Sequence, residues 1–129
     1  MFGTRAGTRD SARSAIGLDR DNVIVVSRYE LRRPVTPANV APVKAEVDGV
    51  IAKLSGRQLS GRAVVFGGLP GYEYTVSVPQ PDRGRSRVVV LFDRAVEYFF
   101  NCQSTPDARY VVEDACRQAL GTLETLDRR

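Results

Sequence analysis

Hydrophobic and polar positions recur along this chain at two periods, and the switches between them delimit its elements. Val23-Ile24-Val25-Val26 opens a β-branched run to about Leu31, which predicts a well-buried strand. Thr36-Pro37 then carries a helix-start signal: a capping hydroxyl followed by a proline suited to the first helical position. Val40, Val43, Val47, Val50, Ile51 and Leu54 follow at helical spacing. Lys44, Glu46, Asp48 and Lys53 take the wet side, and Gly56 ends the helix. Pro42 is tolerated if that helix begins near Asn39.

Arg62–Phe66 predicts a second strand, broken by Gly67-Gly68-Leu69-Pro70-Gly71, where Pro70-Gly71 reads as a turn pair with glycine supplying positive φ. Tyr72, Tyr74, Val76 and Val78 alternate with Glu73, Thr75 and Ser77, which predicts a half-buried strand with an aromatic inner face. Pro79–Ser86 reads as a hairpin loop. Arg87–Phe92 and Val96–Cys102 follow as two strands joined at Asp93-Arg94. Val96, Tyr98, Phe100 and Cys102 point to one side; Glu97, Phe99 and Asn101 point to the other, polar one. Thr105-Pro106 repeats the helix start, and Val111/Val112, Ala115/Cys116, Ala119/Leu120 and Leu123 form an apolar stripe. Residues 1–22 are rich in Gly, Arg, Ser and Thr. They read as a flexible arm or the remnant of a longer N-terminal region, with at most a helical turn near Ala12–Leu18. Residues 23–129 thus form one α+β domain: an antiparallel sheet of about four to six strands with two main helices packed on it.

Composition narrows the function classes. A chain of 129 residues, 43% hydrophobic and 26% charged, has the make-up of a single globular domain. Apolar runs such as Val88–Phe92 are far shorter than the roughly twenty residues of a spanning helix. Histidine is absent, which removes Ser–His and Cys–His catalysis and the His-based zinc sites. No serine lies in a G-x-S-x-G elbow. No cofactor is expected.

The net charge is +4, and only Lys44 and Lys53 of the basic residues are lysines. Arginine pairs bidentately with phosphate, so Arg83, Arg85 and Arg87 form the one tight group that would suit a polyanion. The remaining arginines are spread along the chain, which is unlike a nucleic-acid footprint, so no nucleic-acid partner is expected.

Cys102 and Cys116 are the only cysteines. Two ligands without histidine do not close a zinc site, and the spacing is not C-x-x-C. A strand and the helix packing back on it can bring the two within disulfide range, closing a loop of about fourteen residues worth ~3 kcal/mol in the chain-entropy model. The alternative is two buried free thiols. A stable bridge implies an oxidising compartment. No secretory signal is visible in residues 1–22, so the chain reads either as cytosolic or as part of a longer precursor.

Other candidate chemistry has a plainer reading beside it. Gly67-Gly68-x-x-Gly71 lacks the following helix and Gly-Lys-Ser/Thr of a phosphate cradle and reads as a turn. Asp19-Arg20-Asp21-Asn22 lacks the spacing of a calcium loop. Glu73 and Glu97, on neighbouring predicted strands, offer an acid/base pair or two solvated strand residues. Tyr29, Tyr72, Tyr74, Tyr98, Phe99 and Phe100 line either a ligand pocket or the core.

The stretch from about Arg62 to Leu123 has a distinctive cadence. It runs Gly68-Leu69-Pro70-Gly71-Tyr72-Glu73-Tyr74, then the Val88–Phe92 strand, Glu97-Tyr98, Asn101-Cys102-Gln103-Ser104-Thr105-Pro106 and a helix bearing Cys116. It resembles actinobacterial exported proteins and lipoproteins of the PsbP/Mog1-like fold. The resemblance implies that the last hairpin strand ends in one cysteine and the C-terminal helix supplies its partner. The family's further N-terminal strands and export signal have no counterpart in residues 1–22. Members look like accessory, assembly or binding proteins, and no catalytic residues transfer. The expected role is therefore a non-enzymatic binding or accessory domain of an exported bacterial protein, secreted or lipid-anchored through a segment outside this chain, with a cell-envelope protein as partner. Its working surface would be a sheet edge or the aromatic face near Tyr72, Tyr74 and Tyr98. The alternatives are an apolar-ligand carrier using the Tyr/Phe set, a hydrolase using Glu73 or Glu97, and a polyanion-binding module at Arg83, Arg85 and Arg87.

Overall fold

A computed structural model describes residues 12–19, 22–77 and 84–127, with backbone only for residues 12–19 and 122–127. Its elements are β1 (Ala12–Asp19), β2 (Asn22–Glu30), α1 (Val40–Ser55), β3 (Arg62–Phe66), β4 (Leu69–Ser77), β5 (Arg85–Asp93), β6 (Val96–Ser104) and α2 (Arg109–Asp127). The strands form one antiparallel sheet of six in the order β1-β2-β6-β5-β4-β3. The α+β class and strand number match the expectation from sequence.

The helices lie on opposite faces of the sheet. On one face, Val89 and Leu91 of β5 stand beside Phe100 and Tyr98 of β6, and α2 closes over them with Val112, Cys116 and Leu120. On the other, Val88, Val90 and Phe92 meet Val43, Val47 and Ile51 of α1. All five residues from Val88 to Phe92 are therefore buried. A strand covered on both faces has no polar side to present, which is why its sequence runs apolar instead of alternating. Each such side chain contributes about 1.5–3 kcal/mol by leaving water.

Cys102 on β6 and Cys116 on α2 are both buried and disulfide-bonded, with a Cα–Cα distance of 6.0 Å. The bridge fastens α2 to the sheet within the core it covers. Among the described residues no helix is long and apolar enough to cross a membrane.

Several elements differ from their sequence reading. Residues 12–19 form β1 paired with β2, not a loose arm or a helical turn; Ile16 pairs with Ile24 and Ala15 with Val25. Strand pairing supplies backbone partners that an isolated helical turn lacks. Residues 1–11 lie outside the described residues. Both Thr-Pro pairs sit in a turn ahead of the helix instead of capping it. Asn39 is the residue before α1, and its Oδ1 accepts from Thr36 N at 2.8 Å. Before α2, Thr105 donates its N–H and hydroxyl to Asn22 Oδ1, at 2.8 and 3.1 Å, so its hydroxyl is already engaged. Leu54, placed on the apolar stripe of α1, is 74% exposed, because the sheet reaches only as far as Val43, Val47 and Ile51.

The β3–β4 turn is Gly67-Gly68, not Pro70-Gly71. Both glycines have positive φ, 60° and 78°, which a two-residue type I′ hairpin demands. Gly71 instead lies within β4, where a Cβ would come 1.8 Å from the Val90 carbonyl oxygen. Glycine is needed there for close approach of two backbones. Gly71→Ala is expected to destabilise the fold by about 3 kcal/mol or more, since backbone cannot yield as a flexible side chain would. A denaturant midpoint unchanged from wild type would contradict this packing. Reducing the Cys102–Cys116 bridge is expected to lower stability by ~3 kcal/mol, measured by urea unfolding with and without reductant.

Candidate functional site

Three polar or open regions stand out against this frame. The first is on the α2 face. Glu73, on β4, is nearly buried and takes Arg62 of β3 on one carboxylate oxygen and Arg87 Nε of β5 on the other, the latter at 2.6 Å. Burial alone would raise its pKa; the two guanidinium groups outweigh it and hold the carboxyl below the usual glutamate range. Arg85 pairs with Glu113 of α2 at 3.0 Å, and Arg117 with Asp114. A cleft of about 580 Å³ runs past Arg87, Arg109 and Tyr110, the last 87% exposed. Each of Arg62, Arg85, Arg87 and Arg117 thus already faces a carboxylate of the same chain. A polyanion would have to displace those partners.

The second region is the polar rim of α1. Asp48 is not a solvated helix residue, as its place in the pattern predicts. It accepts the hydroxyl of Tyr74, the Gly61 N–H at 3.0 Å and Lys44 Nζ at 2.8 Å. Lys44 also reaches Ser60 Oγ at 2.8 Å and lies 5.6 Å from the Tyr72 ring centre. Burial of Asp48 would raise its pKa, but these donors prevail and hold it below the usual aspartate range. Burial first, and the Asp48 carboxylate next, push the Tyr74 hydroxyl well above the ordinary phenol value. A phenol so held is a neutral donor at every physiological pH. Through Tyr74 the Asp48 carboxylate ties β4 to α1, and through the Gly61 N–H it pins the segment before β3.

The third region is the outer edge of β3, the last strand of the sheet. The hairpin register pairs Phe66 with Leu69 across the two-residue turn, so Arg62, Val64 and Phe66 direct their N–H and C=O to β4. Ala63 and Val65 alternate with them and direct theirs outward. Val65 is 67% exposed. Beside it lies an apolar groove of about 290 Å³ bordered by Val35, Val40, Ala63, Val65, Tyr72 and Phe92. Neither lysine nor proline occurs within Arg62–Phe66, and both are common protections of a free edge.

The residues singled out from sequence fall into these regions unevenly. Tyr72 and Tyr74 face α1, whereas Tyr98 faces α2, so they do not form one aromatic face. Tyr74 and Tyr98 are buried core residues; Tyr72 borders the groove by β3. The wider Tyr/Phe set is divided likewise, with Phe99 on the α1 side and Phe100 on the α2 side. Strand alternation across consecutive Phe99-Phe100 makes that division unavoidable. Glu73 and Glu97 are also on opposite faces, with β5 between their strands: Glu73 pairs with Val89, Glu97 with Phe92. They cannot flank one bond. Glu97 is 1% exposed rather than solvated, on the face that also carries Phe92 and the core under α1. Arg85 begins β5 instead of lying in a loop, and Arg83 lies outside the described residues. Arg20 and Asp21 lie outside the described residues, Asn22 turns its Oδ1 to Thr105, and among the described residues no three acidic or cysteine side chains are grouped to hold a metal.

The depressed carboxyls give the fold an acid limb with a defined sign. Asp48 and Glu73 have folded pKa values below their ordinary 3.8 and 4.5. Their stabilisation is therefore complete above those values and is lost as pH falls through the folded ones. Stability is expected to be level, as far as these groups go, from neutrality to about pH 5, and to decline below it. Glu73→Gln should cost about 2 kcal/mol at pH 7 and flatten the decline. Urea midpoints between pH 7 and pH 3 check this; superimposable acid limbs for wild type and Glu73→Gln would contradict it.

Comparison with protein-family models, with curated proteins and with solved structures finds no match to this chain.

Proposed function

We propose that this chain is a non-enzymatic binding and accessory domain of an exported bacterial protein, acting in the cell envelope through the open edge of β3. The observation that carries the compartment is the Cys102–Cys116 disulfide. Both sulfurs lie in the core under α2, so the bridge is part of the packed fold and is favoured where thiols are kept oxidised. The resemblance to actinobacterial exported proteins of the PsbP/Mog1-like fold supports the same compartment.

The observation that favours binding at β3 is the coincidence of two features. Outward backbone groups at Ala63 and Val65 suit an added strand, and the apolar groove beside them suits an alternate side chain of that strand. Strand addition draws affinity from the first and selectivity from the second. The partner is then a protein with an extended, apolar-alternating segment. Tyr74, Tyr98 and Phe100 serve the two cores, and Arg62, Arg85, Arg87 and Arg117 serve intramolecular ion pairs.

Thiol labelling of the protein in its native cells tests the compartment. In the envelope fraction, both cysteines are expected to resist alkylation after unfolding until a reductant is added. A pool that labels fully without reductant, and that fractionates with the cytosol, would overturn the exported reading.

A further inference from the structure

We propose that the segment added to β3 is β3 of a second copy of this chain, paired antiparallel about Val64, so that two six-stranded sheets join into one. The inference rests on the reading of β3 as the working edge and names the partner it takes.

An antiparallel two-fold requires a strand complementary to itself. Centring the pair on Val64 sets Val64 opposite its own copy, Ala63 opposite Val65, and Arg62 opposite Phe66. Ala63 and Val65 are the two residues whose N–H and C=O face outward, so this register makes them the hydrogen-bonded pairs and satisfies every outward group from Ala63 to Val65. The side chains agree with the backbone. On the α1 side, the exposed Val65 of one copy stands next to the small Ala63 of the other, over the groove bordered by Val35, Val40 and Tyr72. On the α2 side, Arg62 meets the Phe66 ring of its partner and never another Arg62. Arg62 keeps its ion pair with Glu73, which it shares with Arg87. Like charges are thus kept from facing each other, which is what cross-strand pairing demands.

Sedimentation equilibrium of the intact chain, from low micromolar to near-millimolar concentration, tests this together with two variants. Wild type is expected to dimerise. Val65→Lys places a charge on an exposed edge position, so the fold should persist while dimerisation weakens at least about tenfold. Val64→Cys places two sulfurs on the two-fold, at a non-hydrogen-bonded pair with Cα atoms about 4.5 Å apart, and should cross-link on mild oxidation. Ala63→Cys, opposite Val65, should not. A wild-type monomer throughout the range, or a dimer that Val65→Lys leaves intact, overturns the self-pairing. If that monomer still binds an extended apolar peptide in a Val65-dependent way, self-pairing falls and the edge remains the working surface. If it binds none, both readings fall.

Discussion

The fold depends on one strand being dry on both sides. Val88–Phe92 sends Val89 and Leu91 into one core and Val88, Val90 and Phe92 into the other. A sheet centred on such a strand must be covered twice, and the chain has one helix for each face. α1, between β2 and β3, crosses one face; α2, after β6, returns over the other. The disulfide secures the second cover, and the Tyr74–Asp48 bond with its Lys44 and Gly61 partners secures the rim of the first. These two fastenings differ in kind. One is covalent and sensitive to redox conditions; the other is ionic and sensitive to acid.

Covering both faces leaves the edges as the surfaces with unspent backbone groups. On the β3 side the strand is short, apolar and without the lysine or proline that would blunt it. The arginines of this flank turn to one carboxylate: Arg62, itself exposed, and the more buried Arg87 share Glu73, and Arg87 lies 5.7 Å from the Phe66 ring. The net positive charge is therefore less available to a polyanion than composition suggests. Much of the cationic surface near β3, β5 and α2 is committed to the chain's own carboxylates.

Most of the element order is legible in the sequence because its signals are local. The helical spacing of Val43, Val47 and Ile51, the alternation from Tyr72 to Val76, and the cysteine at the end of one strand with its partner on the next helix all survive into the structure. What escapes is non-local. Periodicity sorts Glu97 to a polar face, but only the tertiary packing over that face decides that it is dry. Glycine reads as a turn former, so the pattern gives Gly71 the turn that Gly67-Gly68 makes; its real requirement is the approach of Val90 on another strand. Residues 12–19 look loose until β2 offers a ladder. The β3 edge leaves only a faint trace: Val64 and Val65 are adjacent valines in a five-residue strand too brief to reveal which face each takes. An arginine count likewise cannot reveal that Arg62 and Arg87, each one strand away, share the single carboxylate of Glu73.

Amide exchange at β3 as a function of protein concentration tests the open edge and its self-pairing most directly. The amides of Val64 and Phe66, bonded to β4, should be protected at every concentration. Those of Ala63 and Val65 should exchange rapidly in dilute solution and become protected as the protein is concentrated. Rapid exchange at Ala63 and Val65 even at the highest concentration, or protection already complete at the lowest, would contradict an edge that is free in the monomer and closed by a second copy.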